Sequence, residues 1–140
     1  MSPTTDRWKL LLWPLALLNV LNGVWMLADP GGWYHGIPAG VPDTGPLNPH
    51  FVRDIGAVFV MMGVALHWAA IRPAYRIPLV GVVVLWSGLH ALVHAWETFG
   101  GTLPAHHWAM DFPAVYLPAA LLAAMLVVLA RQPQTSSRRT

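Results

Sequence analysis

Residues 90–97, HALVHAWE, set two imidazoles and a carboxylate at helical spacing inside a run that is otherwise Val, Leu, Trp and Gly. At 100° per residue, Ser87, His90, His94 and Glu97 fall on one narrow stripe, each three or four positions from the next. The same spacing recurs elsewhere: His50 with Asp54 and His107 with Asp111 at i, i+4, and Asn19 with Asn22 at i, i+3. Neutral imidazole combined with carboxylate is the donor set of Zn, Cu(II) and non-haem Fe or Mn. The pattern therefore predicts a transition-metal site with His90 and His94 as ligands, completed by His107 or His50. Glu97, Asp54 and Asp111 serve in this reading as further ligands or as acceptors that orient the imidazoles. The chain has no cysteine, so thiolate sites and dithiol redox chemistry are excluded. The same ligands suit sensing, carriage or activation of a bound water, and the protease pattern HExxH is absent.

Two other chemistries fit these residues. Haem b could be held by axial histidines from two helices, such as His90 and His107, although acids are unusual neighbours for an apolar macrocycle. Without any metal, the polar faces could bind a quinone or small solute, with Asn19, Asn22, Ser87 and Arg53 as polar contacts. Glu97, His94 and Asp111 could equally relay protons for a larger membrane complex. The plain structural reading is that Arg53 pairs with Glu97, Asp54 or Asp111 and that the aspartates cap helices, such contacts contributing about 1 kcal/mol each. Several histidines and acids converging from three helices favour a site over that reading.

The elements that must position these groups are membrane helices. The 140 residues are 56% hydrophobic and 10% charged, far from the make-up of an average soluble domain. Apolar windows long enough to span a hydrocarbon core lie at 8–28, 51–71, 78–99 and 105–130. The expected fold is an all-α bundle of four transmembrane helices in a single domain, residues 1–130, followed by a disordered cytoplasmic tail, 131–140. Arg7 and Lys9, Arg72 and Arg76, and Arg131, Arg138 and Arg139 flank the spans at alternate ends, and the positive-inside rule makes those ends cytoplasmic. Basic residues divided in this way are no nucleic-acid signal; the bilayer is the expected partner, with a homo-oligomer or larger membrane complex as the further classes.

With both termini inside, His90 and Asn19 lie roughly 12 to 14 Å below the outer helix ends and His94 and Asp111 roughly 6 to 8 Å, at about 1.5 Å per residue. The polar faces should then line a chamber opening outward, with His35 and His106 at its mouth and His67 in a different environment. The Pro- and Gly-rich segment 29–50 is either an ordered cap or a mobile lid over that mouth. Pro113 and Pro118 should kink the fourth span just below Asp111, and Gly56, Gly63, Gly81 and Gly88 should let helices approach closely.

An internal similarity also runs through the chain. HFVRD opens the second span and HWAMD the fourth, while LNVLNGVW and LHALVHAW align Asn19 with His90. A parallel repeat of two hairpins is one reading, and chance likeness of apolar segments the other. The segment NPHFVRDIGAVFVMMGVAL, with Asn48, Arg53 and Gly56, resembles the start of the second span in the broad DoxX-like group of small four-helix bacterial membrane proteins. The resemblance covers most of the chain at the level of topology. It implies a bacterial cytoplasmic (inner) membrane location and, since that group includes a small subunit of a quinone-reducing enzyme, a redox accessory role. The histidine-rich faces are not a signature of the group.

Overall fold

A computed structural model describes residues 6–132, so most of the expected tail, residues 133–140, lies outside the described residues. Four helices are long and apolar enough to cross a membrane, within a few residues of the expected spans. The first, α1 (Lys9–Ala28), stops at Asp29. That residue caps a short helix, α2 (Pro30–Gly36), by accepting the Gly32 N–H on Oδ1 at 2.9 Å, and Pro30 takes the first turn, where a missing N–H is harmless. Trp33 Nε1 donates to Asn22 Oδ1 (2.8 Å) and folds α2 back against α1, while Tyr34 OH donates to the Gly45 carbonyl (2.6 Å) and ties down a 3₁₀ turn at Val41–Thr44. The connection is thus an ordered cap. Asn48 starts α3 (Pro49–Ile71) by accepting the Phe51 N–H at 3.1 Å.

A tight turn through Pro73–Tyr75 leads into α4 (Arg76–Phe99). The last membrane-length helix is interrupted: α5 (His107–Asp111) passes into a π-helical turn, Phe112–Tyr116, before α6 (Leu117–Arg131). Pro113 brings no N–H to the ladder and its ring crowds the preceding turn, so the widened turn takes the place of the expected kink, immediately below Asp111.

Small residues set the closest helix contact. A Cβ on Gly23 would stand 2.5 Å from the Gly56 carbonyl oxygen, and one on Gly63 2.8 Å from that of Ala16, so α1 and α3 cross almost backbone to backbone. Gly56 and Gly63 behave as expected; Gly81 and Gly88 do not, since a Cβ on either would meet nothing within 4 Å. The second close pairing is α4 with α6, and α3 joins the two hairpins through α4. Leu12, Leu66, Val80, Leu122 and Met125 fill the core toward the end that carries the termini, while Leu10, Leu21, Leu85, Leu92 and Phe99 are exposed around the girth, as a lipid-facing surface requires.

At the terminal end Arg76 is not a loop charge. It is buried, with Nη2 donating to Asp6 Oδ2 (2.6 Å), Nη1 to Asp6 Oδ1 (3.2 Å) and Nε to the Ala69 carbonyl (3.0 Å). The fork joins the segment before α1 to the C-terminal turn of α3, and the hydrogen bonds from Arg76 hold the Asp6 carboxyl below its ordinary range.

Candidate metal centre

The ionisable groups gather at the opposite end, where the 29–48 connection lies over the start of α5. The turn after α4 is closed by the Glu97 carbonyl, which accepts from Thr102 (2.9 Å) and Leu103 (3.2 Å), and it delivers His106 and His107 to the first turn of α5. From the other side, the 3₁₀ turn presents Asp43. Asp43 Oδ2 stands 3.2 Å from His107 Nε2 and 3.4 Å from His106 Nε2, and one ligand atom from each of the three lies within 4.8 Å of the others. The cap is pressed onto the ring: a Cβ on Gly40 would lie 2.9 Å from His107 Cε1, and Gly40 has φ 59°, a conformation that itself favours glycine.

Behind His107 a second set of groups is stacked inward. Its Nδ1 faces Asp111 Oδ2 at 3.6 Å across one helical turn, and His94 Nδ1 donates to the same oxygen at 2.8 Å. His107 and Asp111 are almost completely buried, at 0% and 1% exposure, whereas Asp43 and His106 reach the surface. His107 Nδ1 and Asp111 Oδ1 have no hydrogen-bond partner among the described residues, an expensive arrangement for a dry site. The His90 ring meets that of His94 edge-on, with centroids 4.6 Å apart, and stacks on Trp86.

His90 also faces a cavity of about 370 Å³ between the two hairpins, which Asn19 and Asn22 of α1, Trp33 of α2 and Ser87 of α4 line as well. The positions aligned by the internal similarity, Asn19 and His90, thus look into one space from α1 and α4.

Of the residues singled out in the sequence, the structure brings His94, His107 and Asp111 together, sets His90 beside them, and places Asn19, Asn22 and Ser87 on the cavity wall. It does not bring His50 and Asp54 there. They pair with each other at 3.5 Å on the first turn of α3, both well exposed. Arg53 Nε donates to the Leu27 carbonyl (3.3 Å) at the end of α1, away from the cavity wall. The half-buried Glu97 carboxylate is not in the group around Asp43. His67 packs edge-on against Trp13, apart from the site as expected. Asp43, within the 29–50 segment, is not among the ligands that the spacing predicts, and His106 is expected only at the mouth; the adjacent His106–His107 pair is the available signal for the latter.

The donor set is nitrogen and oxygen only. Tetrahedral zinc with bonds of about 2.0–2.2 Å has ligand atoms about 3.3–3.6 Å apart; of the two Asp43–imidazole separations, 3.4 Å lies in that range and 3.2 Å just below it. His107 Nε2 donates to the Asp43 carboxylate at 3.2 Å; were Nε2 to ligate a metal instead, the ring proton would sit on Nδ1, which faces Asp111 Oδ2 at 3.6 Å, the carboxylate–imidazole arrangement that orients metal ligands. No family model, curated protein or solved structure matches this chain.

Proposed function

We propose that this protein is a four-span integral membrane protein that binds a transition metal at the end of its bundle through Asp43, His106 and His107. Asp111, backed by His94, orients the buried imidazole. The observation that carries the reading is the pair of Asp43–imidazole separations, 3.2 and 3.4 Å, in a group drawn from two distant segments of the chain. Zinc suits the donors and spacing best, with Cu(II), Fe and Mn the other metals of this chemistry. Three protein ligands leave a fourth position for water or an exchanging ligand, a composition suited to sensing, carriage or metal-assisted chemistry. The basic residues near α1, the α3–α4 turn and the end of α6 support cytoplasmic termini, which would put the centre on the outer face of a bacterial inner membrane.

Protein purified in detergent and reconstituted with each metal in turn should retain one equivalent by elemental analysis. Asp43→Ala combined with His107→Ala should lose it, while His50→Ala, on the exposed α3 pair, should not. Absence of stoichiometric metal under every reconstitution would overturn the proposal and leave the metal-free accessory role, in which the His90–His94–Asp111–His107 series handles protons. Sidedness has a separate check: a reporter fused at Thr140 should register inside and one inserted after Gly45 outside, and the reverse pattern would move the centre to the cytoplasmic face.

A further inference from the structure

The cavity between the hairpins has a chemistry distinct from that of the metal centre. Backbones approach closely along α1–α3, α3–α4 and α4–α6, whereas α1 looks toward α4 and α6 across a space of about 370 Å³, within the range of small-molecule pockets, about 300–1,000 Å³. Its walls change with depth. Leu15, Met62, Val83 and Leu122 make the inner part apolar, and Asn19, Asn22, Ser87 and His90 make the part nearer the metal centre polar.

The lining contains no carboxylate, lysine or arginine, so nothing there would neutralise a charged molecule taken out of water. Its hydrogen-bonding capacity is nonetheless only partly spent among the described residues. Asn19 gives Nδ2 to the Leu15 carbonyl (2.8 Å), which leaves its oxygen free to accept. Asn22 accepts Trp33 on Oδ1 and directs Nδ2 only at the weakly accepting Met26 sulfur, 3.6 Å away. The Ser87 hydroxyl and the His90 ring add groups that both donate and accept, and Trp33, Trp86 and Phe59 supply flat aromatic walls.

We infer that this cavity binds a neutral, membrane-soluble molecule that carries carbonyl or hydroxyl oxygens on an apolar frame, at least one of those oxygens meeting the group Asn19, Asn22, Ser87 and His90. The methylated or alkyl part of the frame lies toward the inner half, and the anchoring oxygen sits one imidazole contact, His90 to His94, from the groups behind the proposed metal ligands. None of the cavity residues belongs to the Asp43–His106–His107 group, so the inference stands or falls apart from metal binding.

A matched pair of probes tests it. Duroquinone and durene share a tetramethylated ring, but the former carries two carbonyl oxygens and the latter none. With protein in nanodiscs and a chelator present, duroquinone should raise the unfolding temperature in a concentration-dependent way, and durene should not. Ser87→Ala and His90→Phe should each weaken duroquinone binding by about tenfold, the loss expected for one anchoring hydrogen bond. Ala114→Leu, which fills the cavity from the π turn, should abolish the response without lowering the basal unfolding temperature, which separates a blocked site from a damaged fold. An equal response to both probes would identify a lipid-filled apolar void and overturn the inference. So would no response to duroquinone, or a response that survives Ser87→Ala and His90→Phe.

Discussion

Asp111→Asn separates metal affinity from stability. The substitution keeps the size of the side chain and one acceptor oxygen but removes the carboxylate that faces two imidazoles, His94 Nδ1 at 2.8 Å and His107 Nδ1 at 3.6 Å. Carboxylates in this position behind a metal-bound histidine typically change metal affinity by about 10–100-fold, equivalent to about 1.4–2.7 kcal/mol. Asp111 is 1% exposed, and a buried site strengthens every electrostatic contact, so the upper part of that range is expected. The metal-free protein should respond in the opposite sense. Oδ1 of Asp111 is buried without a partner among the described residues, and an amide is less costly to bury than a carboxylate. The apo variant should therefore unfold at the same temperature as wild type or higher. Zinc affinity is measured by competition with a chromophoric chelator at fixed pH, and apo stability by thermal unfolding in the same detergent. Unchanged affinity with unchanged stability would refute the orienting role. A parallel loss of both would make Asp111 a structural residue and nothing more.

Other consequences concern the cap and the opposite end of the bundle. Gly40→Ala sets a methyl group 2.9 Å from His107 Cε1 at φ 59°, with a backbone cost of about 1–2 kcal/mol. It should lift Asp43 off the imidazoles and weaken zinc binding while the helix content measured by circular dichroism stays constant. Asp6 has its carboxyl held below the ordinary value of 3.8, first by the hydrogen bonds from Arg76. Because the folded value is the lower one, the ion pair stabilises fully above the unfolded value and the contribution is lost as pH falls through the folded value. Asp6→Asn should therefore cost about 1–3 kcal/mol near neutral pH, and its unfolding temperature should converge with that of wild type in acid. A gap that persists unchanged below pH 3.8 would contradict this assignment.

The helices were legible in the sequence because their determinants are local: apolar runs of membrane length and Pro113 at the widened turn of the last span; the cap of α3 is Asn48 and not one of the aspartates. The path of the 29–48 cap was not. It depends on Trp33 reaching Asn22 and Tyr34 reaching Gly45, eleven residues away in each case, and on Asp43 meeting His107 across 64 residues of chain. Neither periodicity nor composition encodes such contacts, so of the Asp43–His106–His107 group only His107 is a candidate ligand from the sequence.

The two HxxxD pairs show why the site was only half readable. Spacing at i, i+4 tells which side chains share a stripe of one helix, but not how that helix is rotated within the bundle. On α5 the stripe turns inward, and His107 and Asp111 are buried against His94. On α3 the identical spacing leaves His50 and Asp54 at 88% and 62% exposure. The cause is the glycine-lined crossing. Gly56 and Gly63 must face α1, since a Cβ at either position would stand within 3 Å of α1 atoms, and Val52, one turn before Gly56, is buried. That rotation leaves the stripe carrying His50 and Asp54 turned outward. No comparable glycine contact constrains α4, where a Cβ on Gly81 or Gly88 would meet open space, and there the histidine stripe faces the interior. The close packing of α1 on α3 thus decides which of two similar motifs becomes a site.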